Sequence, residues 1–380
     1  MSRKIVCRLF VVVAALAVVF TDQSALALSR SEIRIPDLPG YTTLKCDFHL
    51  HTVFSDGNVW PTIRVEEAWA DGLDVIAITD HVEYRPHKDD INVSLNRPHE
   101  IAASLANELG IILLRGAEIT RSMPPGHFNA IVLEDCDKLN VAEWRDALQN
   151  AAEQKAFITW NHPGWLQPNI IPIWYDEHTE IFNKGYMMGI EIVNDHEYYP
   201  LAFTWAIEKN ITILGCSDSH SPLMFDFDNS PANRRPMTLV FAKEKSAPAV
   251  KEALLAGRTA VYAYGKLYGK EEYLRSIFTQ TVEIVNPEIS ITGKGRGFVR
   301  LVNHSDIPFQ LSADGQADQF TVPGNLTIGA GETVMLPITN KGMLQGKNPL
   351  RIPFKVDNLL TAPEAPLSVE FNIVVDFINK

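Results

Sequence analysis

The chain has 380 residues, 46% of them hydrophobic and 21% charged, with a formal net charge of −12. That length holds one large domain and a small one. So acidic a balance excludes a protein that coats nucleic acid through a broad basic surface, and no extended nucleic-acid interface is expected.

The first segment, residues 1–27, reads as an export signal. Arg3, Lys4 and Arg8 make a basic start, residues 9–20 are an unbroken apolar run, and Ala25-Leu26-Ala27 offers a small-x-small cleavage site. The run is shorter than the ~20 residues a membrane span needs. A membrane anchor is the alternative reading. Cleavage predicts a periplasmic or secreted chain with no stable membrane span. It removes three basic residues and one acidic residue, taking the net charge to about −14. Cys7 leaves with the signal. Cys46 and Cys216 sit in apolar runs, and together with Cys136 they leave an odd number. Small buried hydrophobes are expected rather than a disulfide framework.

Residues 28–280 form the next unit. Apolar, β-branched runs at 44–48, 75–78, 111–114, 131–133, 157–159, 190–193 and 211–214 alternate with helical patterns at 62–70, 98–108, 141–154, 201–208 and 247–255. Pro61 marks one helix start and Gly257 one helix end. Repeated strand–helix units imply a parallel sheet of buried strands, and seven of them favour a TIM-like (β/α) barrel. From residue 281 the texture changes. Runs at 282–291, 297–302, 319–322, 326–328, 333–338 and 367–377 are split by turn signals such as Pro323-Gly324 and Gly329-Ala330-Gly331. They predict an all-β, sandwich-like domain over 281–380, with a packing role. The fold class is therefore α/β with a C-terminal β domain.

Histidines and carboxylates recur where the apolar runs end. His49 and His51 lie two apart on one face of an extended chain. Ser55-Asp56-Gly57 follows as a turn. The next run ends in Thr79-Asp80-His81, the third in Gly116-Ala117-Glu118. His127 opens the fourth, Asn161-His162-Pro163 closes the fifth, and Ser217-Asp218-Ser219-His220 closes the seventh. A barrel's active site lies at the carboxyl ends of its strands. Imidazole and carboxylate without thiolate suit zinc, manganese or iron. His87, His99, His178 and His304 lack this placement and read as surface or capping residues.

These stretches, from Asp47-Phe48-His49-Leu50-His51-Thr52 to Ser217-Asp218-Ser219-His220, resemble the PHP family of polymerase and histidinol phosphatase members. The resemblance implies a distorted (β/α)7 barrel with a trinuclear metal centre. It implies that His49, His51, Glu118 and Asp218 hold one ion. Glu118 bridges to a second ion held by His127 and His162, and Asp56, His81 and His220 hold a third. The signal, the Ile119-Thr120-Arg121 stretch and the β-rich tail look similar to the exported Sb-PDE-type phosphodiesterases.

Metal ions lower the pKa of a bridging water, so hydrolysis of a small phosphodiester by a metal-bridged hydroxide is the expected activity. Asp218 is a candidate to orient the nucleophile. Arg121 is the first candidate phosphate ligand, with Arg234 and Arg235 next. His196 is a candidate acid for the leaving group, and Glu191 a support for a metal-bound histidine. Trp160, Trp165, Trp174 and Phe225 are candidates to pack against the ester's organic arms. A phosphomonoesterase, a metal-dependent amide or lactone hydrolase, and a non-catalytic metal-binding protein are the alternatives.

Overall fold

Short β-branched runs become strands, and the amphipathic runs between them become the helices that cover those strands. In chain order the α/β part comprises β1 (Thr42–Asp47), α1 (Pro61–Ala70), β2 (Val75–Ile78), α2 (Arg97–Glu108), β3 (Ile112–Ile119), β4 (Phe128–Ile131), α3 (Trp144–Glu153), β5 (Phe157–Trp160), α4 (Asp176–Asn183), β6 (Gly189–Asn194), β7 (Glu197–Tyr198), α5 (Pro200–Lys209), β8 (Thr212–Cys216), β9 (Met237–Ala242), α6 (Ala247–Leu255), β10 (Thr259–Ala263), β11 (Lys266–Gly269) and α7 (Glu271–Thr281). The structure is a computed structural model and describes residues 29–315 and 317–379. The export signal predicted at 1–27 lies outside the described residues. Among the described residues no helix is long and apolar enough to cross a membrane.

Strands β2, β4, β5 and β8 are buried at every position, as sheet strands covered on both faces must be. β1, β2 and β3 pair in parallel, and so do β5, β6 and β8. Between these groups β4 runs antiparallel to both β3 and β5. This corrects the regular strand–helix alternation expected from sequence. The connection from Ile119 to Phe128 is shorter than the dozen or so residues a parallel crossover needs, so the chain turns back as a hairpin. β9 and β10 add further antiparallel neighbours beyond β1. Between β8 and β9 a side chain takes the place of a ladder: Thr238 Oγ1 accepts from Gly215 N–H and donates to Gly215 O, each at 3.0 Å. Just past the ends of β1 and β8, Leu50 and Ser219 form a parallel bridge. The carboxyl ends of the first and last strands of the predicted set thus meet.

The C-terminal part contains β12 (Val282–Ile284), β13 (Glu288–Thr292), β14 (Arg296–Asn303), β15 (Phe309–Ala313), β16 (Phe320–Thr321), β17 (Asn325–Ile328), β18 (Thr333–Asn340), β19 (Gly346–Ala362) and β20 (Ala365–Ile378). The single run expected at 282–291 is two strands that enter different sheets. One sheet is β12-β14-β18-β16; the other joins β13, β20, β19, β15 and β17. Alternating burial along β14, β19 and β20 gives each sheet one inward face. The end of β19 pairs in parallel with β11, Leu267 opposite Leu359 and Tyr268 opposite Leu360. One apolar core therefore runs from Ile76, Leu239 and Phe278 to Phe309, Phe354 and Phe371. Cys46, Cys136 and Cys216 are free and buried in two neighbouring cores.

Candidate metal centre

The nine predicted ligands converge. His49 Nε2 and His51 Nε2 stand 3.1 Å apart, and Asp218 Oδ1 lies 3.1 and 3.0 Å from them. Glu118, on β3, reaches into the same group: Oε1 is 3.4 Å from His49 Nε2 and Oε2 is 3.6 Å from His51 Nε2. Oε1 also lies 3.1 Å from His127 Nδ1 and 3.4 Å from His162 Nε2. Asp56 Oδ1 lies 3.4 Å from His81 Nε2 and 3.3 Å from His220 Nε2. His51 joins this last set through Nδ1, 3.8 Å from Asp56. Sequence reasoning gave His51 a single role; with one ring nitrogen toward each group, it spans two.

Local backbone explains the convergence. Past Asp47 the chain stays extended, so His49 and His51 point the same way. The turn that carries Asp56 folds tightly onto them. A Cβ at Gly57 would lie 2.6 Å from the His51 carbonyl carbon, so only glycine fits there. Asp218 and His162 adopt positive φ, +51° and +26°, a conformation non-glycine residues hold mainly at constrained functional positions.

A surrounding layer fixes the rings. Glu191 Oε1 sits 2.8 Å from His49 Nδ1 and turns Nε2 toward the cluster; burial would lower this imidazole, but Asp218, Glu191 and Glu118 raise it well above its ordinary range. Glu191 Oε2 accepts from His162 N–H and from Asn194. His220 Nδ1–H donates to Asp218 O at 2.7 Å, which turns Nε2 toward Asp56. Asp80 accepts from Thr52 N–H, Thr52 Oγ1 and Ser55 Oγ, tying β2 to the turn after β1.

The electrostatics match a cation-binding donor set. Burial pushes the His51 imidazole down to about 3, and neighbouring His81 and His220 add to it, so it is neutral. Burial alone would raise the Glu118 carboxyl, but His81, His49 and His127 hold it well below its usual range. Asp218 is held down in the same way, chiefly by His49 and His51. Asp56 Oδ1, Glu118 Oε2 and Asp218 Oδ1 are buried without a well-oriented hydrogen-bond donor, although imidazole nitrogens crowd them. Three buried carboxylates with unspent lone pairs aimed at one another fit divalent ions.

The cluster floors a cavity of about 870 Å3 whose walls include Glu83, Tyr84, Arg121, Trp165, Leu166, Asp195 and Glu197. Arg121 is at this wall, as expected, but it is ion-paired to Glu83 at 2.7 Å and donates to Val141 O. Arg234 and Arg235 do not meet the expectation for substrate ligands, since neither lines the cavity. Arg235 is buried against Asp47 Oδ2 (3.1 Å) and Ser217 Oγ (3.3 Å), because the buried Asp47 carboxylate needs a countercharge. Arg234 is buried too and donates to Asn229 O. His196 also lies off the cavity wall, its ring packed against Phe227 and Tyr264, with the Asp195 carboxylate 3.7 Å away. Of Trp160, Trp165, Trp174 and Phe225, only Trp165 lines the cavity; Trp160 is core. Arg64 was missed. It is fully buried and donates to the carbonyls of His51, Ser219 and Ser221. Its helical position gave no hint of this.

An α/β domain with six imidazoles and three carboxylates gathered at its strand ends is a metal-dependent enzyme scaffold by construction. The comparisons make the class specific. A two-domain protein from Bacteroides vulgatus, containing a predicted PHP-like metal-dependent phosphoesterase, matches with 41% identity and a TM-score of 0.86 over 91% of this chain and 100% of its own. The chain belongs to this PHP-like metal-dependent phosphoesterase family. The Ig-like domain family DUF5001 matches residues 282–372. An uncharacterised protein of Methanocaldococcus jannaschii is 35% identical over 82 residues; the match spans 22% of this chain and 36% of that protein.

Proposed function

We propose that the protein is an exported phosphodiesterase that hydrolyses small organic phosphodiesters on a distorted barrel, using up to three divalent ions. The observation that carries this reading is the convergence of nine ligand side chains, with unpartnered carboxylate oxygens; six of the nine (Asp56, His81, His127, His162, Asp218 and His220) line a cavity of about 870 Å3. His49, His51, Asp218 and Glu118 would hold one ion, Glu118, His127 and His162 a second, and Asp56, His81, His220 and His51 a third. When bound, such ions supply an activated water and neutralise charge on the phosphoryl oxygens. Asp218, held in its strained backbone position, orients what lies between the first two groups. Arg121 steadies a phosphoryl oxygen, and Glu83 fixes the guanidinium in place.

The preference for a diester follows from charge. A monoester carries roughly −1.5 to −2 near neutral pH and gains from several cationic side chains. Apart from the ligand histidines, the cavity's cation is Arg121, already paired with Glu83, and Asp195 and Glu197 add negative charge at the wall. A diester, with one negative charge, suits that wall better.

The test joins elemental analysis to paired kinetics. Protein loaded with manganese, zinc or iron is expected to hold close to three ions and to turn over an aryl diester with a higher kcat/KM than the monoester of the same leaving group. His81→Ala is expected to lose about one ion while its unfolding midpoint changes little. Full activity with at most one ion overturns the ligand scheme, and a monoester turned over far faster than the diester moves the protein to the phosphatases. Export is tested by N-terminal sequencing of the protein from its native compartment, where a start just after Ala27 is expected.

A further inference from the structure

Exposed large apolar residues are ordinary when scattered and informative when gathered. Five of them, Trp165, Leu166, Ile170, Ile171 and Ile173, fall within nine residues of the loop that follows His162. Trp165 is 45% exposed, yet its ring packs on His127 (centroids 4.8 Å apart) and on His162 (5.4 Å), so it is both wall and neighbour of the ligands. Leu166 is 73% exposed beside it and lines the same cavity. Tyr84, 54% exposed and also lining the cavity, sets its ring edge-on to His81 at 5.9 Å.

The loop holds this arrangement against its own preferences. Leu166, Asn169 and Ile170 all have φ between +57° and +58°, and a β-branched residue there is a steric outlier. Strain of this kind persists where the surroundings fix it and is concentrated at ligand clamps. Here it is fixed by close packing. A Cβ on Gly164 would come within 2.3 Å of Ile170 O, and successive turns tie Trp165 N–H to His162 O, Gln167 N–H to Gly164 O and Ile170 N–H to Gln167 O. The Tyr175 hydroxyl secures Gln167 from outside. The loop is a braced ledge that holds Trp165 and Leu166 beside the cavity.

A phosphoryl group and its ions fill only the floor of a cavity this size, and the remaining volume is of the scale that takes organic ligands. We infer that Trp165 and Leu166, with Tyr84 of the same cavity, form a subsite for an apolar, aromatic arm of the ester. The inference rests on the phosphodiesterase reading and narrows it to esters carrying such an arm. Aromatic rings stacked edge-on or offset on Trp165 gain beyond simple burial.

Two diesters with a shared 4-nitrophenyl leaving group, one with a methyl arm and one with a benzyl arm, test it. Wild type is expected to favour the benzyl arm by about tenfold or more in kcat/KM. Trp165→Ala and Leu166→Ser are each expected to cut that preference, read as the ratio of kcat/KM for the two diesters within one variant, several-fold. Trp165→Phe keeps a ring against His127 and His162 and is expected to retain most of the preference. Metal content of each variant, measured alongside, separates a lost subsite from lost ligation. Equal turnover of the two diesters by wild type, or a preference that survives in both Trp165→Ala and Leu166→Ser, overturns the subsite. If neither diester is hydrolysed the phosphodiesterase reading fails, and calorimetric binding of benzylphosphonate against methylphosphonate still decides the subsite: tighter benzylphosphonate binding, lost in Leu166→Ser, supports it, and equal binding overturns it.

Discussion

Arg64 shows how one side chain organises the centre without touching it. From α1 its guanidinium donates to His51 O (2.8 Å), Ser219 O (2.8 Å) and Ser221 O (2.9 Å), and pairs with Glu67 at 2.7 Å. These carbonyls belong to the segments that carry His51, Asp218 and His220. The fork joins the ends of β1 and β8 where their own bridge is a single pair. A methionine of similar length would take the donor from His51 O and Ser221 O, leave Ser219 O with the His51 N–H alone, and cost Glu67 its ion pair. Arg64→Met is expected to lose roughly 3 kcal/mol or more of stability, measured by urea unfolding. Metal titration is expected to show the group of Asp56, His81 and His220 weakened most, because its geometry depends on the two joined segments. Arg64→Lys offers a point charge in place of a fork and is expected to fall between.

At the scale of one element, α4 is pinned by a buried histidine. His178 Nδ1 accepts from Tyr175 N–H at the helix start, so Nε2–H donates to Pro125 O at 2.8 Å, and the ring stacks on Trp160 at 3.9 Å. Capping was one of the two roles read for His178, and its burial rules out the surface role. Burial lowers its pKa from the ordinary 6.5 to about 4, outweighing the opposing pull of the Pro125 carbonyl. The folded state thus binds this proton less readily than the unfolded chain. The contribution to stability is fully present above about pH 6.5 and is lost as pH falls from there toward 4, up to roughly 3 kcal/mol. His178→Gln, followed by urea midpoints from pH 8 to 4.5, is expected to flatten this part of the stability profile. The slope is the readout, since the lost stacking on Trp160 lowers stability at every pH. A variant as steep as wild type would place the acid sensitivity elsewhere.

Across the whole molecule, the α/β part and the Ig-like part share backbone as well as core. β19 runs 17 residues and its far end pairs with β11. Asn358 donates from β19 to Gly265 O and to Pro308 O. Near the N-terminal end, Arg34 N–H and guanidinium both bond to Asp306, and Asp306 N–H donates back to Arg34 O. A chain ending at Thr281 would bare Leu267, Leu274, Ile277 and Phe278, all now buried. Calorimetry of the full chain is expected to give one transition, and the truncated chain is expected to aggregate or to melt well below it. Two separate transitions, or a truncated chain as stable as the whole, would show that the shared sheet couples the parts only weakly.

The gathering of these histidines and carboxylates was legible because metal chemistry restricts residue type and strand geometry restricts spacing. A histidine pair two apart in an extended segment faces one way whatever the rest of the chain does, and successive strand ends collect on one side of a sheet. The strand and helix pattern of the α/β part was legible for the same reason, since periodicity is a local property. Proline spoiled the signal for β19, whose Pro349 and Pro353 sit in a long antiparallel ladder, and a 17-residue strand is not what such a run suggests. What sequence could not supply is the partner of a buried charge. Arg235, in a polar loop, read as a cation for substrate; the fold spends it on Asp47. Arg64, in an amphipathic helix, gave no signal of burial; the fold places it among three carbonyls. Burial is set by contacts between segments remote in the chain. The sequence therefore determined which side chains could hold metal, and only the tertiary structure decided which cations line the cavity and which loop is braced beside it.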